Sequence, residues 1–174
     1  MKQIFIILLF VSTLFAGRYQ TELNNLDIHQ KNVLKSALKV GKDYDLSYTL
    51  AAIAWRESLF GLKKTNHKDG IKGSYGTYQI QLYYALDILE LEHTKKNEEM
   101  LRFYLINSED ISAKYAIFML MEWYRIHKDY DKMLASYNVG GISTKSANGQ
   151  RYVRDIKYRI KLLKKYVAEN NIKY

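Results

Sequence analysis

The feature that most constrains this 174-residue chain is a stripe of residues spaced for one face of a helix. Leu46, Leu50, Ile53 and Glu57 follow one another at intervals of four, three and four residues. These intervals match the turn of an α-helix, so the four side chains project from the same face. Since the first three are apolar, the stripe predicts a core-facing helix with a carboxyl group at its end.

A carboxyl group in that position is expected to hold its proton to a higher pH than usual. Apolar surroundings disfavour the anion, and a helix ending near Gly61 brings its negative pole close to Glu57. A glutamic acid kept neutral near pH 7 can act as a general acid. The alternative for this segment alone is a Glu57 at a frayed helix end, turned out to water.

The rest of the chain also follows helical periodicity, and we find no series of strands. The last segment is the clearest, because its apolar residues alternate at spacings of three and four: Val153, Ile156, Ile160, Leu163 and Val167. Other helices are predicted over 24–42, 78–91, 96–106, 108–127 and 131–139. We therefore predict an all-α fold, with a glycine-rich loop or minimal hairpin at Asp69 and Gly70.

Several helix boundaries can be predicted from capping residues. Asn25 or Asp27 is suited to cap the helix over 24–42. Asp45 is suited to cap the helix that carries Glu57, and Ser108 is suited to cap the helix over 108–127. The segment 108–127 is apolar on nearly all sides, which predicts a helix buried at the centre of the domain.

Cysteine and histidine usage excludes several classes of chemistry. The chain has no cysteine, so disulfides, thiol nucleophiles, cysteine-ligated zinc and a lipoprotein anchor are excluded. The four histidines lie far apart in the sequence and lack the spacing of metal ligands: His29, His67, His93 and His127. We expect no metal and no cofactor.

The first residues resemble a secretory signal, with Lys2 followed by an apolar run over 4–15. That run is short for a membrane span, and cleavage after Ala16 would leave a single domain over 17–174. An uncleaved anchor is the alternative. Cleavage removes only Lys2 among the charged residues and lowers the net charge from +9 to +8. An exported basic protein is drawn to anionic polymers, of which a cell wall bearing peptide carboxylates is favoured over nucleic acid.

Four local motifs occur in order along the helices. They are Glu57-Ser58, then Gly76-Thr77-Tyr78-Gln79-Ile80, then Tyr137-Asn138 shortly before a pair of glycines, and finally Tyr152-Val153. Each is weak alone, but the ordered set resembles the catalytic domain of the soluble lytic transglycosylases, a lysozyme-like family acting on peptidoglycan. The resemblance covers about residues 45–167.

The resemblance implies a function and a set of site residues. Glu57 would be the sole catalytic carboxylate, cleaving the bond between N-acetylmuramic acid and N-acetylglucosamine to leave a 1,6-anhydromuramic acid end. Six other residues would bind substrate: Ser58, Ser74, Gln79, Tyr137, Asn138 and Tyr152. The sequence departs from the family pattern at Thr77-Tyr78, where Leu-Met is usual, and at Gly141, where proline is common. Ser74 would replace the serine expected before the glycine loop.

Glycoside cleavage usually requires two carboxyl groups, and the matched motifs contain only Glu57. Asp69 is the one nearby candidate, and its place in a glycine loop favours a simple turn role. A single acid suffices if the substrate supplies the second group. The N-acetyl carbonyl can stabilise the developing cation, and the sugar's own 6-hydroxyl can attack through proximity.

Three alternatives to the transglycosylase remain. The same Glu57 could serve a muramidase with water as the acceptor, or the fold could be a non-catalytic wall-binding or assembly module. A basic nucleic-acid-binding protein is the most distant alternative. We expect an exported monomer in the periplasm or cell envelope, with a weak preference for cutting within strands. General wall turnover and a role beside a secretion apparatus are both compatible with the sequence.

Overall fold

The computed structural model describes residues 17–69, 72–141 and 144–174. The predicted signal peptide, residues 1–16, and Gly70 of the predicted hairpin turn lie outside these ranges. In the ranges that are described, no helix is both long enough and apolar enough to cross a membrane.

Helices account for most of the described residues, which confirms the predicted helical class. In chain order they are α1 over residues 17–24, α2 over Ile28–Val40, α3 over Ser47–Ser58, α4 over Leu82–Ile88, α5 over Lys95–Asn107, α6 over Glu109–His127, α7 over Tyr130–Val139 and α8 over Ala147–Glu169. A single 3-10 turn, Lys42–Tyr44, separates α2 from α3.

A small antiparallel sheet occupies the segment between α3 and α4. Its strands, of two residues each, are β1 (Thr65–Asn66), β2 (Ser74–Tyr75) and β3 (Ile80–Gln81), in the order β1-β2-β3. Thr65 pairs with Tyr75, and Ser74 pairs with Gln81. β1 and β2 thus form a short hairpin between α3 and α4, in the region where the sequence predicted a loop or minimal hairpin. The predicted turn itself includes Gly70, which lies outside the described ranges.

Helix α3 lies at the centre of the packing. It contacts α2 on one side and α8 on another, and α7 packs against both α6 and α8. The predicted stripe of α3 is confirmed, since Leu50 and Ile53 are fully buried and Leu46 is 6% exposed. The stripe of α8 is confirmed as well, with Ile160 the one half-buried member of its five residues.

Two of the predicted caps are confirmed, and one is wrong. Asp27 caps α2 and Ser108 caps α6, each accepting a hydrogen bond from the backbone of the first turn. Asp45 does not cap α3. It takes a left-handed conformation with φ of 56° that closes the 3-10 turn, and α3 begins after Leu46 without a side-chain cap.

The predicted helix over 78–91 is wrong in its first turn. Gly76 and Gln79 have φ angles of 80° and 49°, so the Gly-x-x-Gln motif forms a turn that leads into β3. A Cβ atom on Gly76 would lie 2.4 Å from the carbonyl oxygen of Leu105. Only glycine fits there, because both the positive φ and the close backbone exclude a side chain.

The apolar composition of α6 predicted burial on nearly all sides, and this prediction is wrong for one face. One face packs on the core through residues such as Ala116 and Leu120. The opposite face leaves Phe118, Met121 and Tyr124 more than 40% exposed. Composition alone indicated the high apolar content of this helix but not that one face would lack a partner.

Candidate active site

Glu57 lies in the last turn of α3, where the helix stops abruptly. Leu59, Phe60 and Gly61 all have positive φ, of 52°, 56° and 85°, which turns the chain away from the helix axis. The N–H groups of Leu59 and Phe60 donate to carbonyls of the last turn. This ending leaves the Glu57 side chain 21% exposed, between the core and solvent.

The pKa of Glu57 is raised above its usual value, chiefly because burial removes water from the carboxylate. The negative charge of Asp69 acts in the same direction. The hydroxyl of Tyr152 and the charges of Arg56 and Arg159 act in the opposite direction and lower the pKa. The effect of burial exceeds these lowering effects, so the pKa of Glu57 is raised, as expected of a general acid.

Tyr152 places a buried hydroxyl beside Glu57. The residue is fully buried on α8, and its ring stacks on Tyr137 of α7 with 6.5 Å between centroids. The hydroxyl lowers the pKa of Glu57, yet in the described part of the structure it forms no hydrogen bond of standard geometry. The hydroxyl therefore lies close enough to the carboxyl group to act on its pKa, although Tyr152 is not among the residues that line the cleft.

Arg56 contacts both Glu57 and Tyr152. Its Nε atom lies 3.8 Å from a Glu57 carboxyl oxygen, and its guanidinium stands 4.6 Å from the centroid of the Tyr152 ring. The same guanidinium makes an ion pair with Asp155 of α8. Arg56 therefore holds the acid, the tyrosine and α8 in a fixed relation.

Glu57 lines a narrow cleft with a volume of about 70 Å³. Three of the predicted substrate-binding residues line this cleft with it: Gln79, Tyr137 and Asn138. The other walls come from the β1–β2 loop, β3, α4, α6 and the end of α7: Asp69, Gln81, Tyr84, Met119, Trp123, Ser136 and Gly140. Tyr84 and Trp123 stack with parallel rings whose centroids lie 5.8 Å apart, and Tyr84, the less buried of the two, gives this part of the cleft an aromatic surface.

The polar groups of the motif residues are partly committed to the fold. The Gln79 amide donates to the carbonyls of Lys63 and Gly76 at 3.2 and 3.0 Å, which leaves its oxygen as an acceptor. The Tyr137 hydroxyl donates to the Tyr78 carbonyl at 2.8 Å, so its ring rather than its hydroxyl faces the cleft.

Ser58 and Ser74 do not line the cleft. Ser58 is 1% exposed; its hydroxyl contacts the carbonyl of Thr77 at 2.7 Å and accepts from the N–H of Gly61 at 2.8 Å. Ser74 is fully buried and donates to the carboxylate of Asp69. The substrate contacts expected for these serines are replaced by contacts that fix the helix end and the loop.

The sequence interpretation missed part of the cleft wall. Asp69 was assigned to a turn, yet it lines the cleft beside Glu57. Trp123 belongs to the core, as predicted, and it also lines the cleft. Met119 and Trp123 are four residues apart on α6, and this spacing was the available signal for a shared face. Among the described residues, no cluster of three or more histidine and carboxylate side chains could hold a metal ion.

No family model, curated protein or solved structure matched this chain.

Proposed function

We propose that this chain is a peptidoglycan lytic transglycosylase with a lysozyme-like catalytic domain. One observation carries the proposal: a carboxyl group with a raised pKa, at the end of a buried helix, opens into a cleft lined by Gln79 and Asn138. These are the elements expected from the ordered motifs. The proposed location is the periplasm or cell envelope, where a basic monomer would meet the anionic wall.

The proposed reaction begins with proton transfer from Glu57 to the oxygen that links N-acetylmuramic acid to N-acetylglucosamine. The glycosidic bond breaks as the muramic acid ring becomes cationic at its anomeric carbon, and the N-acetyl carbonyl shares that charge. The ring's own 6-hydroxyl then attacks the anomeric carbon, and its proton passes to the Glu57 carboxylate. The acid is regenerated, no water is consumed, and the product ends in 1,6-anhydromuramic acid.

The neighbours of Glu57 support this use of one group as acid and then as base. Burial keeps the proton on before cleavage, while the Tyr152 hydroxyl and Arg56 are placed to stabilise the carboxylate once the proton has left. The Tyr84–Trp123 surface and the Asn138 amide offer stacking and hydrogen bonding to a glycan strand.

Glu57→Gln tests the proposal. Glutamine keeps the shape of the side chain but has no proton to give, so digestion of purified sacculi should fall about 10²–10⁴-fold. Glu99→Gln, an exposed residue of α5 paired only with Lys95, is the matched control and should digest as the parent does. Undiminished digestion by Glu57→Gln would remove Glu57 as the catalytic acid, and a parent protein that binds sacculi without digesting them would leave a wall-binding module as the better function.

A muramidase is the second candidate, because Asp69 brings a second carboxylate into the cleft and hydrolytic glycosidases use two. Mass spectrometry of the released fragments separates the two reactions. A transglycosylase fragment is lighter by one water than the hydrolytic fragment of the same composition.

A further inference from the structure

Asp69 is the residue whose position in the structure differs most from its sequence interpretation. It lies in the loop between β1 and β2, where an aspartate usually serves a turn. Its backbone does so, since its N–H donates to the carbonyl of Asn66 at 3.3 Å. Its side chain, however, lines the same cleft as Glu57 and Asn138.

The carboxylate of Asp69 is held from behind by the protein. The hydroxyl of Ser74, which is fully buried on β2, donates to one of its oxygens. Ser74 itself is fixed in the sheet by pairing with Asn66 and Gln81. One oxygen of Asp69 is therefore anchored to the sheet, and the carboxylate has a defined place in the wall of the cleft.

No cation neutralises Asp69 within the described ranges, where it forms no ion pair at 4.0 Å or less with any lysine, arginine or histidine. Its charge acts on Glu57, whose pKa it raises in addition to the larger effect of burial. Two carboxyl groups thus line one cleft, and the pKa of one of them, Glu57, is raised. Glycosidases commonly place two carboxyl groups at the bond they cleave and give them different roles.

We propose that Asp69 is a second catalytic residue, a fixed anion that stabilises the cationic anomeric centre while the glycosidic bond breaks. Asp69 forms no covalent bond and exchanges no proton in this role. A cleft that excludes part of the water strengthens such an interaction relative to bulk solvent. This role requires a substrate of one class, a glycoside whose cleavage passes through an oxocarbenium-like transition state. The inference rests on the proposed cleavage at Glu57 and holds whichever acceptor completes the reaction.

Asp69→Asn is the primary test, measured as turnover of soluble peptidoglycan fragments across a range of pH. We expect kcat to fall about 10–100-fold with KM changed less than threefold, because the charge acts in the transition state. The alkaline limb of the pH profile should also move to lower pH, because the loss of the anion lowers the pKa of Glu57. The fall in kcat separates a catalytic anion from a residue that only changes the pKa of Glu57, because the latter would move the limb without lowering kcat at the pH optimum.

Two further variants separate the charge from the loop structure. Asp69→Glu keeps the carboxylate and should recover part of the lost kcat and a limb closer to that of the parent. Asp110→Asn removes an exposed aspartate of α6 that pairs with Lys114, and it should match the parent in both readouts.

The proposal is overturned if Asp69→Asn retains kcat within twofold of the parent, or if Asp69→Asn and Asp69→Glu lose activity equally with an unshifted limb. Either result would leave Asp69 as a turn residue, while an inactive Glu57→Gln would still support glycoside cleavage. If Glu57→Gln is fully active, Glu57 is not the catalytic acid, and the proposed function fails whatever the Asp69 variants show.

Discussion

The acidity of a single side chain, Glu57, depends on groups from distant parts of the sequence. Burial and Asp69 raise its pKa, whereas Tyr152 and Arg56 lower it. Asp69 and Tyr152 therefore have opposite effects on Glu57: the charge of Asp69 favours the protonated form, and the Tyr152 hydroxyl favours the carboxylate. Such opposed effects allow one carboxyl group to serve as acid before bond cleavage and as base after it.

Tyr152→Phe tests the part played by the hydroxyl. Without that donor the Glu57 carboxylate is less stabilised, so the pKa of Glu57 should rise and the alkaline limb of the activity profile should move to higher pH. This shift is opposite in sign to that expected for Asp69→Asn. The measurement is turnover of soluble peptidoglycan fragments as a function of pH.

The free energy of unfolding is measured alongside, since phenylalanine keeps the packing of the buried ring against Tyr137. Tyr166→Phe, about four turns further along α8, is the control and should leave the pH profile unchanged. If the alkaline limb of the Tyr152→Phe profile stays in place or moves to lower pH, the Tyr152 hydroxyl does not stabilise the Glu57 carboxylate.

At the scale of elements, the decisive feature is how α3 ends. The run of left-handed residues after Ser58 would not be stable by itself, because leucine and phenylalanine rarely adopt positive φ. The Ser58 hydroxyl joins this run to the turn before β3 through Gly61 and Thr77. The helix end and the Gly-x-x-Gln turn are therefore one unit, which positions Glu57 and Gln79 together.

Ser58→Ala tests this structural role. The change leaves the buried N–H of Gly61 and the carbonyl of Thr77 without their partner, at a cost of about 1–3 kcal/mol in the free energy of unfolding. Ser112→Ala is the matched control, because Ser112 is also fully buried but its hydroxyl has no partner. It should change stability far less. Chemical denaturation measures both, and a stable Ser58→Ala with a raised KM would instead indicate a substrate contact.

At the scale of the whole molecule, a network of buried charges joins three helices behind the site. Asp155 of α8 contacts Arg56 of α3, Arg159 of its own helix and the Tyr19 hydroxyl of α1. Glu22 of α1 extends it by accepting a hydrogen bond from the indole of Trp55 at 2.9 Å. The network ties α1 to the face of the molecule that carries Glu57.

The pKa of Asp155 shows that the network favours its charge. Burial alone would raise that pKa, but Arg159, the Tyr19 hydroxyl and Arg56 overcome burial and lower it. A carboxyl group with a lowered folded pKa contributes stability above its unfolded value of 3.8, and this contribution is lost as pH falls through the folded value.

Asp155→Asn should therefore destabilise the protein by about 3 kcal/mol at pH 7, since Arg56 and Arg159 lose their shared anion. The difference from the parent should shrink as pH falls from 3.8 through the lowered pKa of folded Asp155, because the unfolded chain binds the proton first and the folded protein last. Thermal unfolding at pH 7 and pH 3 measures this. Asp131→Asn, which breaks an exposed pair with Lys157, should stay within about 0.5 kcal/mol of the parent at both pH values. Equal effects of the two changes would contradict a buried network.

Much of the fold follows from sequence patterns because those patterns are local. The α3 stripe, the caps at Asp27 and Ser108 and the periodicity of α8 depend on neighbours within one or two turns. The errors arose where contacts distant in sequence prevailed. Gly76 lies against Leu105, and the turn that it begins replaces the first turn of the expected helix. Phe118 is exposed in the part of the chain that the structure describes.

The sequence by itself determined that Glu57 ends a buried helix, because hydrophobic spacing directs a helix face without reference to the rest of the fold. Only the tertiary structure decided what surrounds that carboxyl group. It brought Asp69 into the cleft, turned Ser58 and Ser74 to the backbone and to Asp69, and placed the Tyr152 hydroxyl beside the acid. Charges and hydrogen bonds act through space, and the distances that set their strength exist only once the helices have packed.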